Sequence, residues 1–221
     1  MSRQITDASP KVRIHPPYYT QDGKKVPGVT TVIGDVLSKP ALVPWAWKMG
    51  KAGIELDAYV DDLAGVGTLA HRMILCHLKG EKTETAEYSA EQIDKAENCF
   101  LKYLEWERQR KVEPVRLETP MVSEEYGFGG TPDFVGFIDG AMTLMDFKTG
   151  KGIYPDYWIQ LGGYWILTVE QDIGHAIENF RILNIGRDES EKFVEEQRSN
   201  VLREESIFLH ALAIYKLKRE R

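Results

Sequence analysis

Two runs rich in apolar residues, Gly127 to Ile138 and Met142 to Lys148, flank the dipeptide Asp139-Gly140. Asp-Gly between such runs signals a tight hairpin turn, because both turn positions need a positive φ that these residues tolerate. A hairpin alone is at best marginal in water, so the pair needs further layers over its apolar faces. Val115 to Val122 reads as a preceding strand. Asn179 to Ile185 reads as a later one, paired with Phe193 and its neighbours. Between them, Tyr154 to Glu170 is apolar on nearly all sides, as expected of a helix buried against a sheet.

Upstream, the patterning is helical. Tyr18 to Lys25 runs through Asp22-Gly23 and predicts a small hairpin. Thr30 or Thr31 is a candidate cap for a helix through about Leu37, before Pro40 and the segment Pro44-Trp45-Ala46-Trp47-Lys48. Helical patterning continues unevenly from Gly50 to Leu78. A clearer helix spans Ser89 to Lys111, with Ile93, Ala96, Phe100, Tyr103 and Leu104 as its apolar stripe. Asn200 to Lys218 reads as a final amphipathic helix with a basic end. Helices first, then a compact sheet with a crossover helix, predict an α/β fold. No internal repeat or low-complexity linker interrupts the 221 residues, so they read as one domain, with 1–17 a polar, flexible arm.

Composition narrows the function classes. Hydrophobic residues make up 43% and charged residues 28%, which fits a globular chain and not a disordered one. There is no ~20-residue apolar stretch, so no membrane helix is expected, and the start lacks an apolar leader. The two cysteines, Cys76 and Cys99, lack metal-site spacing, and a reducing, cytoplasmic setting follows as the expectation. With 28 basic and 34 acidic residues the net charge is −6, which taken alone disfavours nucleic-acid binding. That inference weakens where carboxylates are needed to hold cations.

The chemistry concentrates on the hairpin. Asp146 and Lys148 are two apart, so a strand directs both to one face and Phe147 to the other. Asp133, 13 residues before Asp146, can converge on that face from the partner strand. Two adjacent acids repel unless a cation bridges them, and hard oxygen ligands suit Mg²⁺ or Mn²⁺. A lysine beside such a metal can orient water or stabilise charge on a phosphate. An acid-x-Lys triplet also arises by composition: Asp22-Gly23-Lys24 is another, in a solvated turn. What distinguishes Asp146 is the apolar run around it. Gln160 and Tyr164 share one face of the following helix, and a polar amide on so apolar a helix wants a specific partner. Trp158 and Trp165 fall roughly opposite and read as packing residues. His71, among Leu69, Met73 and Ile74, reads by itself as a packing histidine.

The ordered set Gly67-Thr68-x-x-His71, Glu118, Gly130-Thr131-Pro132-Asp133, Asp146-Phe147-Lys148-Thr149-Gly150 and Gln160-x-x-x-Tyr164 resembles the RecB-like branch of the PD-(D/E)xK nuclease superfamily. Val26-Pro27-Gly28-Val29-Thr30-Thr31-Val32-Ile33, followed by Trp47-Lys48, is similar to mitochondrial genome maintenance exonucleases and their phage relatives. The resemblance covers about residues 18–185. It implies a restriction-endonuclease-like core, a mixed central β-sheet flanked by helices, behind an N-terminal helical region. It implies that His71, Asp133, Asp146 and the Phe147 carbonyl ligate Mg²⁺ or Mn²⁺. Lys148 would activate the attacking water, and Glu118 would be an additional acid of the catalytic set. Gln160, Tyr164, Thr149 and Lys151 would meet substrate, with Trp47 and Lys48 as further contacts.

Some members of that branch hold an iron–sulfur cluster on four cysteines; two cannot do so, and no cluster is expected. The implied partners are DNA, single-stranded or bearing an end, and recombination or replication proteins. Lys51, Arg72, Lys79 and Trp45 are further candidates for gripping the strand. The implied activity is a metal-dependent DNA exonuclease of phage or bacterial replication and recombination. A structure-specific endonuclease and a non-catalytic DNA-binding accessory module are the alternatives.

Overall fold

The computed structural model describes residues 17–220. Apart from Pro17, the arm expected over 1–17 lies outside them. The described residues open with a small hairpin, β1 (Tyr18–Tyr19) and β2 (Lys25–Val26), closed at Gly23 with φ of 82°. Helix α1 (Val29–Val36) buries Val29, Val32 and Ile33, an i, i+3, i+4 stripe. Its N-cap is Gly28, with no side-chain cap, and not the expected Thr30 or Thr31. Both threonines fall inside the helix because the apolar stripe already begins at Val29.

A helix over the Trp-rich segment, α2 (Leu42–Lys51), precedes the uneven pattern from Gly50 to Leu78 and buries none of its residues, and that pattern is carried by one helix after it. This helix, α3 (Leu56–Lys79), starts where the Glu55 carboxylate accepts from the N–H groups of Asp57 and Ala58, and ends at Gly80 with φ of 70°. Helix α4 (Ala90–Glu107) is closed by a reciprocal cap between Ser89 and Gln92.

The sheet follows: β3 (Val112–Leu117), β4 (Met121–Ser123), β5 (Phe128–Gly130), β6 (Phe134–Ile138) and β7 (Ala141–Thr149). Two strands expected as continuous are broken. Val115 to Val122 divides at Glu118, whose φ of 47° cannot continue a ladder. Gly127 to Ile138 divides at Thr131-Pro132-Asp133, where proline has no N–H to donate. The Asp139-Gly140 turn forms as expected, with both residues at positive φ. Helix α5 (Pro155–Glu170) then crosses over to β8 (Asn179–Ile185), which lies parallel to β7 and pairs antiparallel with β9 (Val194–Arg198). Helix α6 (Leu202–Leu217) ends the described chain.

The result is a mixed α/β architecture: a five-stranded sheet in the order β3-β6-β7-β8-β9, flanked by helices, with β4 and β5 paired separately. Its two faces carry separate cores. On one side Val29, Val135, Leu144, Leu161, Leu167, Ile182 and Phe208 pack together beneath α1, α5 and α6. On the other, Leu69, Ile74, Ala96, Tyr103, Phe134, Met145, Phe147 and Leu183 pack beneath α3 and α4. No described helix is long and apolar enough to cross a membrane.

Candidate active site

Strand alternation builds the site. Met142 and Leu144 belong to the core under α5, whereas Met145 and Phe147 belong to the opposite core. Asp146 and Lys148 continue the α5-facing row, so that side of β7 is apolar at one end and charged at the other. Asp146 is 1% exposed, which is tolerable for a carboxylate only with partners. Lys148 supplies one, its ammonium paired with Asp146 Oδ2.

Gln160 completes the arrangement. Its Nε2 donates to Tyr164 Oη at 2.7 Å and to Asp146 Oδ1 at 3.4 Å, while its Oε1 accepts from Lys148 Nζ at 3.0 Å. The amide therefore finds the partners its apolar helix demanded. Trp158 and Trp165 face elsewhere: Trp158 Nε1 donates to Glu196, and Trp165 Nε1 donates to the Gly174 carbonyl.

Asp133 reaches the same place from the bend before β6. Its Oδ2 accepts from the main-chain N–H of Phe147 at 2.8 Å and lies 3.7 Å from His71 Nδ1. His71 comes from α3, packed edge-on against Phe147 with ring centroids 5.9 Å apart. Gly67, one turn earlier, lets α3 approach the end of β7: a Cβ there would lie 2.8 Å from Thr149 Oγ1. Glu118 donates its N–H to the Asp133 carbonyl at 3.1 Å, so the strained bend in one strand is tied to the bend in the next.

His71, Glu118, Asp133, Asp146, Lys148, Gln160 and Tyr164 all line one cleft of about 410 Å³. Phe147, Thr149, Lys151, Trp47 and Lys48 are not among its lining residues, and the Phe147 side chain belongs to the opposite core. Lys151 is exposed beyond the end of β7. Trp47 is 63% exposed on α2, with Lys51 Nζ 4.5 Å from the centre of its ring. Sequence reading missed Tyr18 and Thr30 as walls of the cleft. Tyr18 Oη lies 2.9 Å from Thr131 Oγ1 across 113 residues, a contact that no local pattern announces. Arg72 also lines the cleft, its Nη1 donating to Glu87 at 2.5 Å.

The electrostatics separate the two acids. Burial is the largest influence on Asp146 and pushes its carboxyl up to about 6, against the pull of Lys148. For Asp133 burial acts in the same upward direction. It is outweighed by the charge and hydrogen bond of His71, with Lys148 and the Phe147 N–H adding to them, so this carboxyl lies below its usual range. In His71 burial opposes the charged form, but Asp133 prevails and raises the imidazole. The Tyr164 phenol is held well above its usual range, by burial first and by the Asp146 charge second.

These donors fit a hard divalent cation in kind: two carboxylates and an imidazole line one cleft. They do not form a ready cage. Among the described residues no three His, Cys, Asp or Glu side chains are gathered closely enough to hold a metal as they stand. Lys148 and the Phe147 N–H engage the carboxylate oxygens instead.

Neither a protein-family model nor a curated protein matches the chain. Among solved structures it is similar to a candidate exonuclease of Eubacterium rectale at 14% identity, over 69% of this chain, with a TM-score of 0.48; the match spans 65% of that protein, just under two thirds of its length. It is also similar to an alkaline exonuclease of Laribacter hongkongensis at 18% identity, over 67% of this chain and 81% of that one, with a TM-score of 0.32. Against the same exonuclease in complex with dAMP, coverage is 72% and 89% and the TM-score 0.33. Likenesses this distant decide nothing about chemistry.

Proposed function

We propose that this protein is a Mg²⁺- or Mn²⁺-dependent nuclease that hydrolyses DNA phosphodiester bonds in the cleft between α3, β7 and α5. The observation that carries the proposal is the Asp146–Gln160–Lys148 arrangement, with Asp133 and His71 on the same cleft. A buried acid and a lysine held by one amide, beside a second acid, suit attack by water on a phosphate better than they suit packing. Residues 1–221 are, on this proposal, one nuclease domain.

His71, Asp133, Asp146 and the Phe147 carbonyl would hold the cation, with Glu118 as an additional acid. Bound there, the cation would supply Lewis-acid stabilisation of the phosphate and a more acidic water. The side chains do the rest. Lys148, restrained by Gln160, presents its ammonium to the phosphate oxygen on which charge develops, and orients the attacking water. Asp133, 3.7 Å from His71 Nδ1, holds the imidazole beside it, and the ring would ligate in its neutral form. Tyr164 stays a neutral phenol and holds the Gln160 amide in register. Arg72 adds positive charge at the cleft wall for a neighbouring phosphate.

The finer reading, exonuclease action on single-stranded ends in phage or bacterial replication and recombination alongside other proteins, is supported by the sequence resemblance. The test uses linear single-stranded, linear duplex and covalently closed circular DNA with Mg²⁺, Mn²⁺ or EDTA. Metal-dependent release of nucleotides from linear DNA alone supports the exonuclease. Cutting of closed circles supports the endonuclease, and DNA binding without turnover in any metal overturns the nuclease reading.

A further inference from the structure

On α5, Tyr157, Gln160 and Tyr164 stand at i, i+3 and i+7, which places them along one face of the helix. The last two form the amide network already described. Tyr157 extends that stripe toward the end of β7, where Lys148 Nζ lies 5.0 Å from the centre of its ring. The same ammonium donates to Gln160 Oε1 at 3.0 Å and pairs with Asp146. Lysine has a flexible four-carbon stem and three N–H donors, so two polar partners leave one direction open. The negative face of an aromatic ring within ~6 Å attracts the ammonium without forming a hydrogen bond of its own, so the third N–H is left for substrate.

The Tyr157 ring is itself held. Tyr154 packs edge-on against it at 5.5 Å, and both lie at the start of the helix, where Pro155 sets the first turn. Burial, the largest influence, pushes the Tyr157 phenol up to about 12, so at neutral pH it offers a π face and not a phenolate charge. Tyr157 is not among the residues lining the cleft, so it acts through another side chain and not on substrate.

We propose that Tyr157 is a positioning residue that clamps the Lys148 ammonium against Gln160 and Asp146. Its hold on the lysine stands on the contacts just given. Its consequence for turnover rests on the nuclease reading.

Two readouts keep those apart. The first is metal-free: competitive acetylation of the full-length protein with limiting acetic anhydride, with Lys148 scored by mass spectrometry against exposed Lys82. Tyr157→Leu and Tyr157→Met should each raise relative labelling of Lys148 at least threefold, and Tyr157→Phe should leave it as in wild type. The second is turnover of single-stranded DNA with Mn²⁺. Tyr157→Leu should lower kcat about tenfold with KM within about twofold, and Tyr157→Phe should restore it. Unchanged labelling in both ring-less variants overturns the clamp, and so does a Phe variant as impaired as the Leu variant. An inactive wild type showing the predicted labelling supports the clamp while overturning the nuclease reading. Two ring-less variants are specified so that one failing to fold still leaves the comparison intact.

Discussion

Phe147 donates its main-chain N–H to the Asp133 carboxylate at 2.8 Å, so the acid that precedes β6 is pinned to β7 between Asp146 and Lys148. This separates the structural duty of Asp133 from its charge. Asp133→Asn keeps an oxygen for the Phe147 N–H and should cost under about 1 kcal/mol of stability while abolishing metal-dependent turnover. Asp133→Ala leaves that N–H without its partner and should cost about 1–3 kcal/mol. Urea unfolding beside a turnover assay distinguishes them, and equal destabilisation by both variants would contradict the pairing.

Gln160, 9% exposed, carries three hydrogen bonds to three polar partners. Gln160→Leu fills the space but strips Lys148, Asp146 and Tyr164 of that partner at once. Stability should fall by about 1–3 kcal/mol and turnover about tenfold or more. Urea unfolding and single-turnover kinetics measure the two effects. Loss of stability with full turnover would make the amide a packing device only.

The charged row was legible in the sequence because strand alternation is strict: Asp146 and Lys148 had to share a face whichever face that was. The i, i+4 spacing of Gln160 and Tyr164 was legible for the same reason on a helix. What stayed hidden depends on long-range closure. Tyr18 meets Thr131 only because Gly28 bridges to Gly129, where any Cβ would strike the Tyr18 ring. The break at Glu118 was invisible because a left-handed glutamate has no local signature. Trp47 and Lys48 look like a binding surface in sequence, but their helix buries none of its residues and neither lines the cleft.

Gly130 makes room for the site. A Cβ there would sit 2.7 Å from Tyr164 Cε1 and 2.9 Å from Leu167 Cδ1, both on a packed helix. Gly130→Ala should therefore cost about 1–3 kcal/mol through overpacking. It should also displace Tyr164 from Gln160 and lower turnover. Tyr164→Phe in the same background should add less than it does alone, because the two changes act on one contact. Full additivity in a double-mutant cycle would refute that coupling.

Cys99 lies between α4 and the end of β8, its thiol directed at the carbonyls of Ile185 and Gly186 at 3.7 and 3.6 Å. Burial pushes this thiol up to about 12 from an ordinary value of 9.0. The unfolded chain therefore releases this proton first, and the contribution of this group to folded-state stability should decline as pH rises above 9. Cys99→Ala should remove that part of the decline, most visibly between about pH 9 and 10, below the range where the raised tyrosines add to it. At pH 8 a thiol reagent should modify half-buried Cys76 readily and Cys99 only as the protein unfolds. Equal reaction of both thiols in the native protein would contradict the burial.

The central claim is that Lys148, held by Asp146 and Gln160, serves phosphodiester hydrolysis. The most direct measurement is a time course on 5′-labelled single-stranded DNA with Mn²⁺ or EDTA, comparing wild type with Lys148→Met, and with DNA binding measured in parallel. The account predicts metal-dependent degradation by wild type and none by the variant, with affinity for DNA changed less than about threefold. Equal degradation by both proteins, or loss of binding in step with turnover, would contradict it.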